Sequence, residues 1–116
     1  MSNYRELELW KRSISLAKFV YELTAGFPAS ELYGLTSQMR RSSVSIASNV
    51  AEGAARGTDK EFIHFLHIAM GSIAELDTQY VLSKELQFID GFKEFEESLA
   101  DMRKMASGLI RHLKIK

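Results

Sequence analysis

The sequence predicts an all-α fold, an antiparallel up-and-down four-helix bundle, and three observations lead there. Apolar residues recur at alternating spacings of three and four along four long stretches. Short breaks separate the stretches, marked by glycine, by the single proline or by helix-capping residues. No stretch alternates apolar and polar with period two for long enough to make a strand. At 116 residues, 46% of them hydrophobic, the chain is one domain over 1–116 with enough apolar material for a core.

The first helix is predicted over about 3–24, with Asn3 as N-cap and Glu6 completing a capping box. Leu7, Trp10, Ile14, Ala17 and Tyr21 form one apolar line and Leu9, Leu16, Val20 and Leu23 a second. Together they exceed the roughly 100° arc of an ordinary core-facing helix, which predicts an extra contact. Lys11, Ser15, Lys18 and Glu22 are left for solvent. Gly26-Phe27-Pro28 ends the helix, and Ser30 to Tyr33 suits a short helical turn.

The second helix, about 36–55, begins with Thr36 as cap. Leu35, Met39, Ile46 and Val50 make a bulky stripe, Ala47, Ala51 and Ala54 a small one that lets another backbone approach, and Gln38, Arg41, Ser45, Ser48, Asn49 and Glu52 a polar one. Gly53 and Gly57 are expected to weaken its end. Thr58 with Glu61 forms a capping box for the third helix, about 59–86, whose core stripe is Phe62, Leu66, Ala69, Ile73, Leu76 and Tyr80. Ile63, Met70, Ala74 and Val81 run beside it. The fourth helix, about 92–113, is the most regular, with Phe92, Phe95, Leu99, Met102, Ala106, Leu109 and Leu113 in a heptad seam. Such seams favour shallow crossings, and short connections make successive helices antiparallel.

Fifteen basic and fifteen acidic side chains cancel, so any basic surface must be local. Residues 102–116 carry Arg103, Lys104, Arg111, Lys114 and Lys116 and no acid, whereas 89–101 carry five acids and one lysine. That polarity complements the helix dipole, at about 0.3–1 kcal/mol per charge. Joined by Arg40, Arg41, Arg56 or Lys60, the same cations would make a phosphate-binding patch. The absence of cysteine excludes disulfides and thiolate chemistry and fits a cytoplasmic home. Met1 to Leu9 has three charges and no apolar block, unlike a secretory signal, and no run approaches the ~20 apolar residues of a membrane span.

Several features bear on chemistry. Glu61-Phe62-Ile63-His64 matches one Glu-x-x-His unit of a di-iron bundle, but no second unit exists, so no metal or other cofactor is expected; His64 and His67 read more simply as polar residues beside the core stripe. Ser42, Ser43, Ser45 and Ser48 lack a histidine–acid pair or a nucleophile elbow, and small residues permitting close helix approach explain them better. Gly53 to Thr58 lacks the lysine and the preceding strand of a phosphate loop. No catalytic residue is assigned. Arg41, Asn49, Glu52, Glu75 and Gln79 recur on one side of two consecutive helices, where donors and acceptors can pair; a network fixing register or a subunit interface is favoured over a ligand site.

The run from Tyr33 through Glu52 and Gly53, with Lys60-Glu61-Phe62 and Gly71-Ser72-Ile73-Ala74-Glu75-Leu76 followed by Gln79, resembles the four-helix-bundle family of 23S rRNA-intervening-sequence proteins, and the resemblance extends from Leu9-Trp10 to Gly108-Leu109-Ile110. Ala47 stands where relatives often carry proline, so a straighter second helix is expected. The resemblance implies a bacterial protein of a group encoded within inserts of 23S rRNA genes. It is related to accessory proteins of diversity-generating retroelements, which form a barrel-shaped pentamer binding nucleic acid and a reverse transcriptase. The expectation is a non-catalytic homo-oligomeric adaptor, a pentamer by resemblance, that binds RNA, DNA or a nucleic-acid enzyme and no membrane. The alternative is a protein-only assembly scaffold.

Overall fold

A computed structural model describes residues 3–116, so the reading of the leader region, which begins at Met1, lies partly outside them. Four helices follow one another: α1 (Glu8–Thr24), α2 (Leu35–Ala55), α3 (Asp59–Glu85) and α4 (Lys93–Ile115). Short 3-10 turns at Tyr4–Glu6 and Ala29–Glu31 precede α1 and α2. Consecutive helices pack side by side and α4 returns to α1, giving the antiparallel up-and-down bundle, 46 × 23 × 20 Å. One end holds the α2–α3 connection, the start of α1 and the end of α4. The other holds the α1–α2 and α3–α4 connections.

The core stripes of α2 and α3 are buried as the periodicity predicts: Met39, Ile46 and Val50 meet Phe62, Leu66, Ala69, Ile73 and Leu76. This is the closest interface in the molecule. A Cβ added at Gly53 would lie 2.6 Å from Phe65 Cβ, so the glycine sits inside α2 as a contact point for α3. The expected weakening of the helix at Gly53 does not occur; the chain reverses at Gly57, whose φ of +98° favours glycine. α2 is continuous through Ala47.

Helix starts differ from the sequence reading in two places. Asn3 caps only the 3-10 turn, accepting from Arg5 N, and extended Leu7 separates that turn from α1, so the Asn3–Glu6 box does not form. Thr36 is buried within α2, and the Glu31 carboxylate accepts from Leu35 N instead. The Thr58 cap of α3 forms, accepting from Glu61 N at 3.2 Å and donating to the Glu61 side chain at 3.0 Å.

On α1 the core takes Leu9, Leu16 and Val20 with Ser13 and Thr24, leaving Ile14 45% and Tyr21 46% exposed. Ser13, Ser43 and Ser83 donate to backbone carbonyls of their own helices, so buried hydroxyls need no partner helix. On α4, Ile110 rather than Leu109 completes the buried seam, and Phe92 precedes the helix with its ring partly exposed. α3 ends in a left-handed Gln87, φ 62°, with Phe88 N donating to Ser83 O and Gln87 N to Lys84 O, a Schellman-type close. Beyond it, the buried Tyr80 hydroxyl accepts from Phe92 N at 2.7 Å and donates to the Glu96 carboxylate at 2.7 Å, tying the connection to the start of α4. The Tyr80 bond, then Lys84, holds the Glu96 carboxyl below its ordinary value, and burial pushes the Tyr80 phenol up.

Candidate nucleic-acid interface

The antiparallel order decides which cations share an end. Arg56 ends α2, Lys60 starts α3, and Lys116 beyond α4 pairs with Asp59 at 3.5 Å, so Arg56, Lys60, Arg111 and Lys114 lie toward one end of the bundle. Arg40 does not belong there. Near the start of α2, its Nε donates to Thr24 Oγ1 at 2.9 Å and its guanidinium stacks 4.7 Å from the Tyr21 ring, which fixes it against the far end of α1. Arg41 is likewise near that far end.

Arg56 is neutralised locally by Glu52 at 2.9 Å and Glu61 at 3.8 Å and lies over the Phe65 ring. Arg103 faces Asp77 of α3 at 3.7 Å. Both pairs are exposed, so each contributes only about 0–1 kcal/mol and a phosphate could displace it. Among the described residues Lys60, Lys104, Arg111 and Lys114 have no ion-pair partner. At 100° per residue, Arg103, Lys104, Arg111 and Lys114 share a 100° arc of α4 turned away from the core residues Met102, Ala106 and Leu113. All four are exposed.

The polar set of α2 and α3 does not join into one network. Asn49 Nδ2 donates to Ser45 O and Oγ, and Ser45 Oγ meets Ser72 Oγ at 2.9 Å across the helix pair. Glu52 turns to Arg56. Arg41, Glu75 and Gln79 instead line a depression of about 340 Å³ with Gln38, Ser42 and Ser45, and the buried Gln79 Oε1 has no hydrogen-bond partner. Arg41 and Glu75 form no ion pair with each other or with another described residue. No two members of this set pair with each other: Asn49 and Glu52 find partners outside it, in Ser45 and Arg56.

Residue spacing did not single out the exposed apolar residues Val44, Ile68 and Leu82. Val44, Ile68 and Leu82 are 43%, 40% and 47% exposed, and Tyr33 is 94% exposed at the start of α2. The surplus apolar lines of α1 and α3 pointed to contacts outside the bundle, and Ile14 and Tyr21 on α1 and Val81 on α3 carry them.

Among the described residues no three His, Cys, Asp or Glu side chains converge to hold a metal ion, and His64 packs edge-on to Phe65. No described helix is long and apolar enough to cross a membrane. No curated protein matches the chain. The family model described as 23S rRNA-intervening sequence protein matches residues 5–109, which takes in all of α1 to α3 and most of α4. The chain belongs to the 23S rRNA-intervening sequence protein family.

Proposed function

We propose that this protein is a non-catalytic, cytoplasmic homo-oligomeric adaptor, a pentamer by family resemblance, whose α4 arc contacts the phosphates of RNA or DNA. In the retroelement-like version of this reading, a reverse transcriptase is the protein partner. The observation that carries the nucleic-acid contact is the arc itself. Lys104, Arg111 and Lys114 are exposed and unpaired on one face, and Lys60 is unpaired toward the same end. Helix-dipole complementarity accounts for cations in the last turn, but it falls off within that turn and does not explain Lys104, two turns before Arg111.

A salt titration of a labelled RNA hairpin tests the reading. Binding should weaken by about 0.7–0.9 log units per phosphate neutralised for each tenfold rise in salt, and Arg111→Gln with Lys114→Gln should shallow that slope. A protein that assembles yet binds neither RNA nor DNA at low salt would overturn the nucleic-acid contact. The second reading, a protein-only scaffold, would then stand on the exposed apolar residues Ile14, Tyr21, Tyr33 and Val44 together with the neutral net charge.

A further inference from the structure

We infer that the depression between α2 and α3 is a subunit contact, completed by the outer stripe of α1 from a second copy of this chain. The inference rests on the proposed assembly of the protein and names the surfaces that make it. Three groups in the depression lack partners: the Arg41 guanidinium, the Glu75 carboxylate and the buried Gln79 Oε1. A buried acceptor without a donor is costly, so the site favours an occupant that supplies one.

The Ser45–Ser72 bond fixes the level of these groups. Arg41 lies one turn from Ser45 on α2 and Glu75 about one turn from Ser72 on antiparallel α3, both displaced toward the same end of the bundle. The depression therefore presents a cation and an anion facing each other across the groove. Gln79 lies one turn beyond Glu75.

The complementary surface is on α1. Lys18 and Glu22 are exposed, one turn apart, and unpaired with each other or with any other described residue. Laid in the groove, this stripe lets Lys18 donate to Glu75 and to Gln79 Oε1 while the Glu22 carboxylate accepts from Arg41. Ile14 and Tyr21 beside the stripe, Val44 one turn from Arg41, and Ile68 and Leu82 two turns either side of Glu75 supply exposed apolar surface for such a contact. A nucleic acid fits this site less well, because the one cation lining it, Arg41, is matched by the Glu75 carboxylate.

Because the two surfaces lie on different helices, the contact we infer is heterologous, each copy using α1 toward one neighbour and α2–α3 toward the other; a reciprocal two-fold pairing would instead stop at a dimer. Repetition of such a contact closes a ring when the rotation permits. The arc on α4 takes no part in it.

Charge exchange tests the contact. Lys18→Glu and Glu75→Lys should each weaken self-association by at least about tenfold in sedimentation or light scattering, and the double exchange should regain most of the loss. All these positions are exposed, so circular dichroism should show every variant folded. The chain has no cysteine, so Lys18→Cys combined with Glu75→Cys should give a ladder of linked chains with a bismaleimide long enough to replace the lysine–carboxylate pair, which a direct disulfide cannot span, while either single cysteine gives no more than a dimer. A wild type that stays monomeric would sink the assembly reading itself. A wild type that assembles but ignores both reversals, shows no recovery in the double exchange, or yields no ladder would refute this contact and leave assembly standing.

Discussion

Two glycine-to-alanine changes, Gly53→Ala in α2 and Gly71→Ala in α3, should move stability in opposite directions. Both residues are inside helices, where exchanging glycine for alanine ordinarily stabilises by about 0.5–1 kcal/mol. Their surroundings separate them. At Gly71 an added Cβ meets nothing within 4 Å, so the full gain should appear. At Gly53 it would lie 2.6 Å from Phe65 Cβ, 3.1 Å from Phe62 Cδ1 and 3.3 Å from Phe62 O. Phe62 O is backbone and Phe65 Cβ is anchored directly to it, so neither can swing aside, and α3 must shift away from α2. Overpacking of this kind costs about 1–3 kcal/mol, which outweighs the propensity gain and leaves a net loss of about 1–2 kcal/mol.

Urea unfolding followed by circular dichroism measures both effects. All variants should be compared at one protein concentration and in one oligomeric state, because assembly ties apparent stability to concentration. With slopes unchanged, the two midpoints should lie on opposite sides of the wild-type value. A Gly53→Ala midpoint above wild type, matching that of Gly71→Ala, would refute the close approach of α2 to α3.

Other expectations follow from the core, the α3 terminus and the Tyr80 clasp. Ile73→Ala and Leu99→Ala, at buried sites on α3 and α4, should each cost about 2–5 kcal/mol in chemical denaturation, whereas Lys93→Ala on the surface should stay within about 0.5 kcal/mol. Gln87→Gly should stabilise by up to about 1 kcal/mol, read as a higher denaturation midpoint, since the residue occupies the left-handed region where glycine carries no Cβ penalty. Tyr80→Phe removes the acceptor for Phe92 N and the donor to Glu96, and it should also change the pH profile of stability at both ends. The lowered Glu96 pKa contributes stability present above the ordinary value of 4.5 and lost as pH falls through the folded value. The raised Tyr80 pKa contributes stability present below 10.0 and lost as pH rises above it, so the variant should be less pH-sensitive in both windows in unfolding titrations.

The four helices were legible because each carries its own period, and a stripe such as Phe62, Leu66, Ala69, Ile73, Leu76 and Tyr80 needs no neighbour to define it. Helix starts were legible where the cap is local: Thr58 caps α3 as read. They were misread where the cap comes from the preceding turn, as with Glu31 at Leu35. Gly53 shows the same limit from another side. Its sequence context says helix breaker, and only the proximity of Phe65 makes it a packing residue. Within the candidate site, the arc of Arg103, Lys104, Arg111 and Lys114 follows from helical geometry alone. Which of its charges are free does not, because Asp77 on another helix pairs with Arg103. Arg40 was grouped with this arc by charge, although an antiparallel chain places the start of α2 and the end of α4 at opposite ends.

A neutral chain and a nucleic-acid contact are reconciled by arrangement rather than by net charge. Some of the acids that balance the cations lie on other helices, such as Glu52 and Glu61 on Arg56, but Asp77 on Arg103 and Asp101, one turn before Lys104, border the arc. With a Debye length of about 8 Å at physiological salt, a phosphate at Arg111 and Lys114 senses chiefly those cations, while one at Arg103 and Lys104 also meets Asp77 and Asp101. One subunit still offers only a few free cations, so its contact alone would be weak and readily displaced by salt. Assembly through α1 and the α2–α3 groove would leave each arc exposed and present several to one strand, so later contacts form at high effective concentration. In the proposed arrangement the surfaces that hold copies together would determine how strongly a modest basic arc acts, and the oligomer, rather than the subunit, would be the binding unit.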